Sequence, residues 1–353
     1  MPDTTNRKAE LLSQPVEHID IASFDGRSLI DAWEKMSFTS RDAARAARIL
    51  SAAIEDTDCA IILTLAGSTS AGGCMHVWRD MVRHNMVDAI VATGASIVDM
   101  DFFEALGFRH YRALEVPDDR TLRDLYVDRI YDTYIDEEDL QATDQALFEI
   151  AGGLEAKAYS SRAFIREMGR WLSDGHAKKD GSLVQECFER DVPIFCPAFS
   201  DSSAGFGLVK HQVERMKAGK PYLTIDSVAD FRELTEIKIQ AGATGLFMVG
   251  GGVPKNFAQD TVVCAEILGH DDVEMHKYAV QVTVADVRDG ACSSSTLKEA
   301  CSWGKVDVTL EQMVFAEASS VVPVMVSDAY HRGEWKKRQP RRYGAIWDKD
   351  KAR

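Results

Sequence analysis

The segment Leu297-Lys298-Glu299-Ala300-Cys301-Ser302-Trp303-Gly304-Lys305 sets an acid, an indole and an amine within two helical turns. Leucine, glutamate and alanine favour helix, and Gly304 ends it. Glu299 and Trp303 are four apart and share a helical face. Lys305 follows on backbone that glycine leaves free to bend. A lysine attacks as a nucleophile only when neutral, and at its ordinary pKa about one amine in a few thousand is neutral at pH 7. Burial against an indole is the usual way to make such an amine available. The plainer reading makes Lys305 a complement to the helix dipole and Trp303 a core residue.

Chemistry of this kind needs elements to hold it. Residues 59–66 form a nearly continuous apolar run, as a buried parallel strand requires. The run closes at Gly67-Ser68-Thr69-Ser70-Ala71-Gly72-Gly73 and leads into a helix reaching about residue 84. Strand, small-residue turn and helix make a dinucleotide-binding arrangement, with backbone amides free to approach a phosphate. The spacing is not GxGxxG, so a tight turn without a ligand is an equal reading. A second strand over 87–92 ends at Thr93-Gly94-Ala95-Ser96, and Asp99 follows one turn on, where an acid could also cap a helix.

Further strands are predicted over 192–196, 222–225, 244–249, 279–284 and 313–316. They close at a turn containing Asp201, at Gly250-Gly251-Gly252, at Ala285 and at Glu317-Ala318-Ser319. A capping-box pattern at Thr39 and Asp42 opens a helix to about residue 55. Residues 142–173 read as one long helix preceded by an acidic run, and 182–190 as another. Ser227 and Asp230 cap a helix whose apolar stripe is Val228, Phe231, Leu234 and Ile237. Seven or so strands alternating with helices predict an α/β fold in a single large domain. The expected architecture is a doubly wound, mostly parallel Rossmann-like sheet with helices on both faces and ligands at the carboxyl ends of its strands.

The net charge of −15 argues against a nucleic-acid binder and suits a cationic ligand. No apolar run has membrane-spanning length, and residues 1–17 are polar and mixed in charge, unlike a signal peptide. Seven scattered cysteines without CxxC spacing read as reduced thiols of a cytoplasmic protein, and no zinc-type cluster is visible. Residues 1–20 read as a flexible or partner-docked arm, before a domain over 21–330. The tail from 331 to 353 carries nine Lys/Arg against three Asp/Glu, with Trp335, Tyr343 and Trp347 interleaved. Packing of this tail against an acidic neighbouring subunit is expected over a nucleic-acid contact or disorder.

The run from Glu299 to Lys305 resembles the active-site segment of deoxyhypusine synthases. Other landmarks of that family follow the same order: His84-Asn85-Met86-Val87-Asp88, Pro197-Ala198 with Asp201, Gly250-Gly251-Gly252-Val253, and Ala316-Glu317-Ala318-Ser319. The similarity spans roughly residues 38 to 330. It implies an NAD-dependent transfer. Hydride leaves a spermidine carbon, a lysine expels diaminopropane and holds the butylamine group as an imine, and an acceptor amine displaces the lysine before the hydride returns. By this resemblance Lys305 is the nucleophile, and Glu299 and Trp303 are a carboxylate and a wall of the polyamine site. The implied NAD site comprises Gly67, Ser68, Thr69, Ser70, Ala71, Thr93, Gly94, Ala95, Asp99, Asp201, Gly251, Gly252, Val284, Ala285, Glu317 and Ala318.

At other positions the chain departs from the family. Phe206 stands where the family has aspartate, Asn256 where it has histidine and Asp260 where it has asparagine. Gln281 replaces a tyrosine, and Cys292 replaces an aspartate in the loop with Asp289, Gly290 and Ala291 that borders the polyamine. These changes point to an altered amine or acceptor, either a small diamine such as putrescine or the lysine of a hypusine-type translation factor. The resemblance also implies a homotetramer with sites shared at subunit interfaces. An NAD-linked polyamine dehydrogenase without transfer, and a polyamine- or NAD-binding protein without catalysis, are the competing readings.

Overall fold

Six parallel strands carry the fold in the computed structural model, which describes residues 4–115, 117–288 and 295–352. They are β1 (Ala60–Leu65), β2 (Ala89–Ala92), β3 (Ile194–Phe195), β4 (Thr244–Val249), β5 (His276–Thr283) and β6 (Val306–Phe315). Their order across the sheet is β6-β5-β4-β1-β2-β3, every neighbouring pair parallel. The chain winds outward from β1 to one edge, returns to β4 on its other side, and winds outward again. This is the doubly wound order, and its switch point lies between β1 and β4.

Alternate residues of the strands face opposite ways, so the sheet has two cores. Ile61, Leu63, Leu65, Ile90, Phe247 and Val280 pack with α1 (Phe38–Glu55), α2 (Met75–Arg83) and, further along the chain, Ala318–Arg332. Ala60, Ile62, Ala89, Val91, Leu246, Met248 and Ala279 pack on the other face. There they meet the helix Ser227–Ala241 and two more whose ends carry the site, Gly252–Gln259 and Leu297–Ser302.

Several local expectations change. Residues 142–173 are not one helix but two, Glu137–Gly153 and Ser161–Trp171, separated by the short strand Ala158–Tyr159. That strand pairs with Thr224–Ile225, which therefore leaves the main sheet. Between residues 111 and 136 a small antiparallel sheet forms from Tyr111–Arg112, Val127–Ile130 and Thr133–Asp136. The cap of α1 is Ser37, with no side-chain bond, instead of Thr39. Asp226 caps the helix Ser227–Ala241, while Asp230 is buried and accepts the N–H groups of Ser161 and Arg162.

The segments around residues 18–19 and 338–347 both dock on the chain's own body. The Ile19 N–H donates to the Gly73 carbonyl at 2.9 Å, and His18 bonds the buried Glu104 carboxylate at 3.0 Å. In the basic tail the Arg338 guanidinium is buried beneath β1 and β2. It bonds the Asp88 carboxylate at 2.5 Å, the Asn85 carbonyl at 2.9 Å and the Cys59 carbonyl at 3.1 Å. The Trp347 indole donates to Glu236 at 2.7 Å and lies under the Arg162 guanidinium. Charge in this tail thus satisfies acidic groups of the same chain.

Candidate functional site

Lys305 is the residue immediately before β6, so it stands at the amino end of the sheet. The helix before it, α3 (Leu297–Ser302), closes with a complete Schellman motif. Gly304, at φ +71°, donates its N–H to Cys301 at 2.9 Å, and Lys305 donates its own to Ala300 at 3.0 Å. The Lys305 carbonyl accepts from the His276 N–H at 2.9 Å, where β5 begins. Its backbone is held on both sides and only the side chain can swing. Nζ sits 2.5 Å from Asp260 Oδ1 and 5.3 Å from the centre of the Trp303 ring, within cation–π range. The lysine side chain is 13% exposed, whereas Trp303 is 68% exposed and belongs to no core.

Glu299 is exposed, as Trp303 is. Its carboxylate turns back to the Thr296 N–H, and its own N–H donates to Thr296 Oγ1 at 3.0 Å, completing a capping box. The bond from Thr296 holds this exposed carboxyl below the usual carboxylate range. Asp260 follows the helix Gly252–Gln259, and its carboxylate caps no helix. Asn256 lies exposed one turn earlier on the same face.

Sequence reasoning missed Lys255. This amine is 1% exposed and donates to the Ser295 carbonyl, just ahead of the Thr296 cap. Burial pushes it down to about 8; Glu299 acts in the opposite sense, and Lys305 adds slightly to the lowering. The available signal was a lysine held between Pro254 and the apolar Phe257-Ala258. Gln281, expected at the polyamine, is instead fully buried in β5 and donates to the Gly250 carbonyl at 2.9 Å. A period-2 strand position facing a core explains the difference. Asp289, Gly290, Ala291 and Cys292 lie outside the described residues.

The residues expected at a dinucleotide gather at the opposite, carboxyl end of the sheet. Gly67 and Gly250 end β1 and β4 at the switch point with φ +84° and +73°. A side chain on Gly250 would press on the Ala66 carbonyl at 3.1 Å, while one on Gly67 would meet nothing within 4 Å. Gly94 has no room either, since its Cβ would fall 2.6 Å from Ser202 Oγ. Ser68, Thr69, Thr93 and Ala95 are half-buried, while Ser70 and Ala71 are buried. Ser96 Oγ ties the two turns together by donating to the Gly67 carbonyl at 3.0 Å. Gly251 and Gly252 open the next helix, Val284 is exposed, and Ala285 donates its N–H to Thr283 Oγ1. Glu317 caps Ala318–Arg332 through the N–H groups of Ser319 and Ser320.

Asp99 also caps, but on a neighbouring element: it accepts the Ser203 N–H at 2.7 Å, at the start of Ser203–Lys217. Burial pushes its carboxyl up to about 6. Asp99, Asp201 and the exposed Phe206 line a cavity of about 740 Å³ with Asp128, Glu137 and Asp144. An open glycine turn at the switch point and half-buried hydroxyls fit a dinucleotide.

The two groups are far apart within one chain. Lys305 precedes β6 and Glu317 follows it, and ten strand residues at ~3.3 Å each separate the sheet ends by roughly 30 Å. Among the described residues no helix is long and apolar enough to cross a membrane.

Comparison with known proteins places these features in one family. A family model described as deoxyhypusine synthase matches residues 28–329. A deoxyhypusine synthase-like protein of Caulobacter vibrioides is 67% identical over 99% of this chain and 95% of its own length. One from Coxiella burnetii is also 67% identical, over 96% of each chain. A solved structure from Entamoeba histolytica that carries the deoxyhypusine synthase name shares the fold, with a TM-score of 0.59 at 20% identity. It covers 90% of this chain and 97% of its own.

Proposed function

This chain belongs to the deoxyhypusine synthase family, and from that premise we propose that it moves an aminobutyl group from spermidine, or a near relative, to an acceptor amine through an imine at Lys305. The observation that carries the reading is the setting of Lys305. It is a lysine on fixed backbone, largely sheltered, with a carboxylate at 2.5 Å and an open indole face beside it. The turns after β1, β2 and β4 would hold NAD, which when bound would supply a hydride acceptor and donor for the donor carbon.

The chain's own residues do the rest. Trp303 offers its face to an ammonium group of the polyamine. The second Glu299 oxygen, the one not engaged by Thr296, offers a charge to the same cation. Lys255 fixes the segment ahead of α3 through the Ser295 carbonyl. Lys305 Nζ attacks the oxidised donor carbon, and the departing amine leaves as diaminopropane.

Because the lysine and the dinucleotide turns occupy opposite ends of one sheet, a working centre requires the carboxyl end of one chain against the amino end of another. A homo-oligomer, as a tetramer, meets this requirement with sites between subunits. The exposed Phe206 and uncharged Asn256 favour a small amine such as putrescine over a protein lysine as acceptor.

Product analysis by mass spectrometry tests the reading. The protein is incubated with NAD and spermidine, then with a panel of small amines or with a hypusine-type translation factor. Diaminopropane together with a new polyamine is the expected result. A modified translation factor alone would move the acceptor to protein, and aminobutyraldehyde without transfer would replace the reading by a dehydrogenase. Unchanged turnover in Lys305→Ala would sink it.

A further inference from the structure

The contact between Lys305 and Asp260 is an ammonium against a carboxylate, and an ammonium has no lone pair with which to attack. A proton must leave Nζ before the amine can act and must reach the amine that departs. We propose that Asp260 carries that proton, as general base to Lys305 and then as general acid to the leaving amine. The inference rests on the function proposed above and adds a catalytic residue to it.

Four features of the site support the assignment. Asp260 Oδ1 is already at hydrogen-bond distance from the reacting nitrogen, so no rearrangement precedes transfer. Its backbone is fixed, the N–H donating to Asn256 at 2.8 Å and the carbonyl accepting from Cys264 at 2.9 Å. Its carboxylate caps neither adjoining helix, unlike Glu299, Glu317 and Asp99, which are all engaged by backbone N–H groups. The side chain is 39% exposed, so it can face both the lysine and a bound polyamine. Exclusion of water by the polyamine weakens the preference for the charged pair over the neutral one, which favours transfer at the moment it is needed.

The step balances. A proton moves from Nζ of Lys305 to Oδ1 of Asp260, the lone pair it frees forms the new C–N bond at the carbon of the protonated donor imine, and the C=N electron pair goes to the departing nitrogen. Asp260 passes that proton to the departing nitrogen and takes a second one from Nζ, whose lone pair forms the C=N bond as the bond to the departing nitrogen breaks. The freed amine takes the second proton from Asp260 and exits as an ammonium, Lys305 holds the aminobutyl group as a protonated imine, and the carboxylate is restored. No further oxidant or reductant takes part in this exchange.

The test compares wild type, Asp260→Asn, Asp260→Glu and Asp260→Gly with NAD and spermidine, reading kcat, KM and the adduct trapped at Lys305 by borohydride. Asp260→Asn is expected to lower kcat about 10²–10⁴-fold with little change in KM. Asp260→Glu retains a carboxylate and is expected to keep a substantial part of the rate. Formate is expected to restore turnover in Asp260→Gly, which a merely structural role would not allow. A raised KM with kcat within twofold of wild type in Asp260→Asn would overturn the proposal while leaving the Lys305 reading intact. If wild type itself traps no adduct at Lys305, both fall.

Discussion

The Glu299 carboxylate bonds the N–H of Thr296 while the Glu299 N–H donates to Thr296 Oγ1. One side chain therefore ends the loop ahead of α3 and faces the amine site with what charge remains.

Glu299→Gln separates the two roles. Glutamine serves at this position of a capping box, so the thermal midpoint should hold within experimental scatter. Loss of the negative charge should raise KM for spermidine by roughly tenfold. Steady-state kinetics alongside thermal denaturation checks both, and a lowered midpoint with unchanged KM would confine Glu299 to capping.

Asp99 gives a pH signature of stability. Its folded carboxyl sits at about 6, against 3.8 ordinarily, because it is buried. A raised value favours the protonated form in the folded state. The stabilisation is thus complete below about pH 4 and is lost as pH rises through about 6. Asp99→Asn, which still accepts from Ser203, should remove that slope and gain about 1–2 kcal/mol at pH 7 after allowance for partial exposure. Denaturant titrations of both proteins at pH 4, 5, 6 and 7 would read the difference.

The opposite placement of Lys305 and the dinucleotide turns predicts complementation. Lys305→Ala and Ser68→Trp should each be inactive alone. After the two are unfolded together and refolded as mixed oligomers, about a quarter of wild-type activity should return if each site draws on two chains. No recovery, with mixed oligomers verified by mass, would place the whole site in one chain.

Removing Arg338 should be costly. Arg338→Ala leaves the buried Asp88 carboxylate with only the Arg341 guanidinium, 4.0 Å away, at a cost of about 3–5 kcal/mol. Arg338→Lys should recover only part of this, since one ammonium cannot reach Asp88, Asn85 and Cys59 together. The midpoint of urea unfolding is the measurement.

Much of the fold was legible from the apolar runs after Cys59 and before Gly250, because a parallel strand covered on both faces needs no polar alternation. The turns that follow those strands were equally plain from their glycines. Strand order was not, since nothing local records that β4 returns beside β1. Lys305 was legible as a candidate amine, yet its end of the sheet was not, because most of the other landmark residues lie at carboxyl ends and nothing local sets the lysine apart from them. Long-range pairing hid the rest. Asp260 and Lys305 are distant in sequence, and the buried role of Lys255 depends on a carbonyl forty residues on. Asp99, Glu299 and Glu317 each accept backbone N–H groups, and because a cap and a ligand site use the same residue types, sequence alone does not separate the two roles.

Arg338 reaches Asp88 from 250 positions further along the chain. During synthesis β1 and β2 leave the ribosome long before their cation does, so the Asp88 carboxylate must stay hydrated until the tail arrives. The amino ends of β1 and β2 then seal last, and a truncation short of residue 338 leaves Asp88 and the Asn85 and Cys59 carbonyls without that guanidinium.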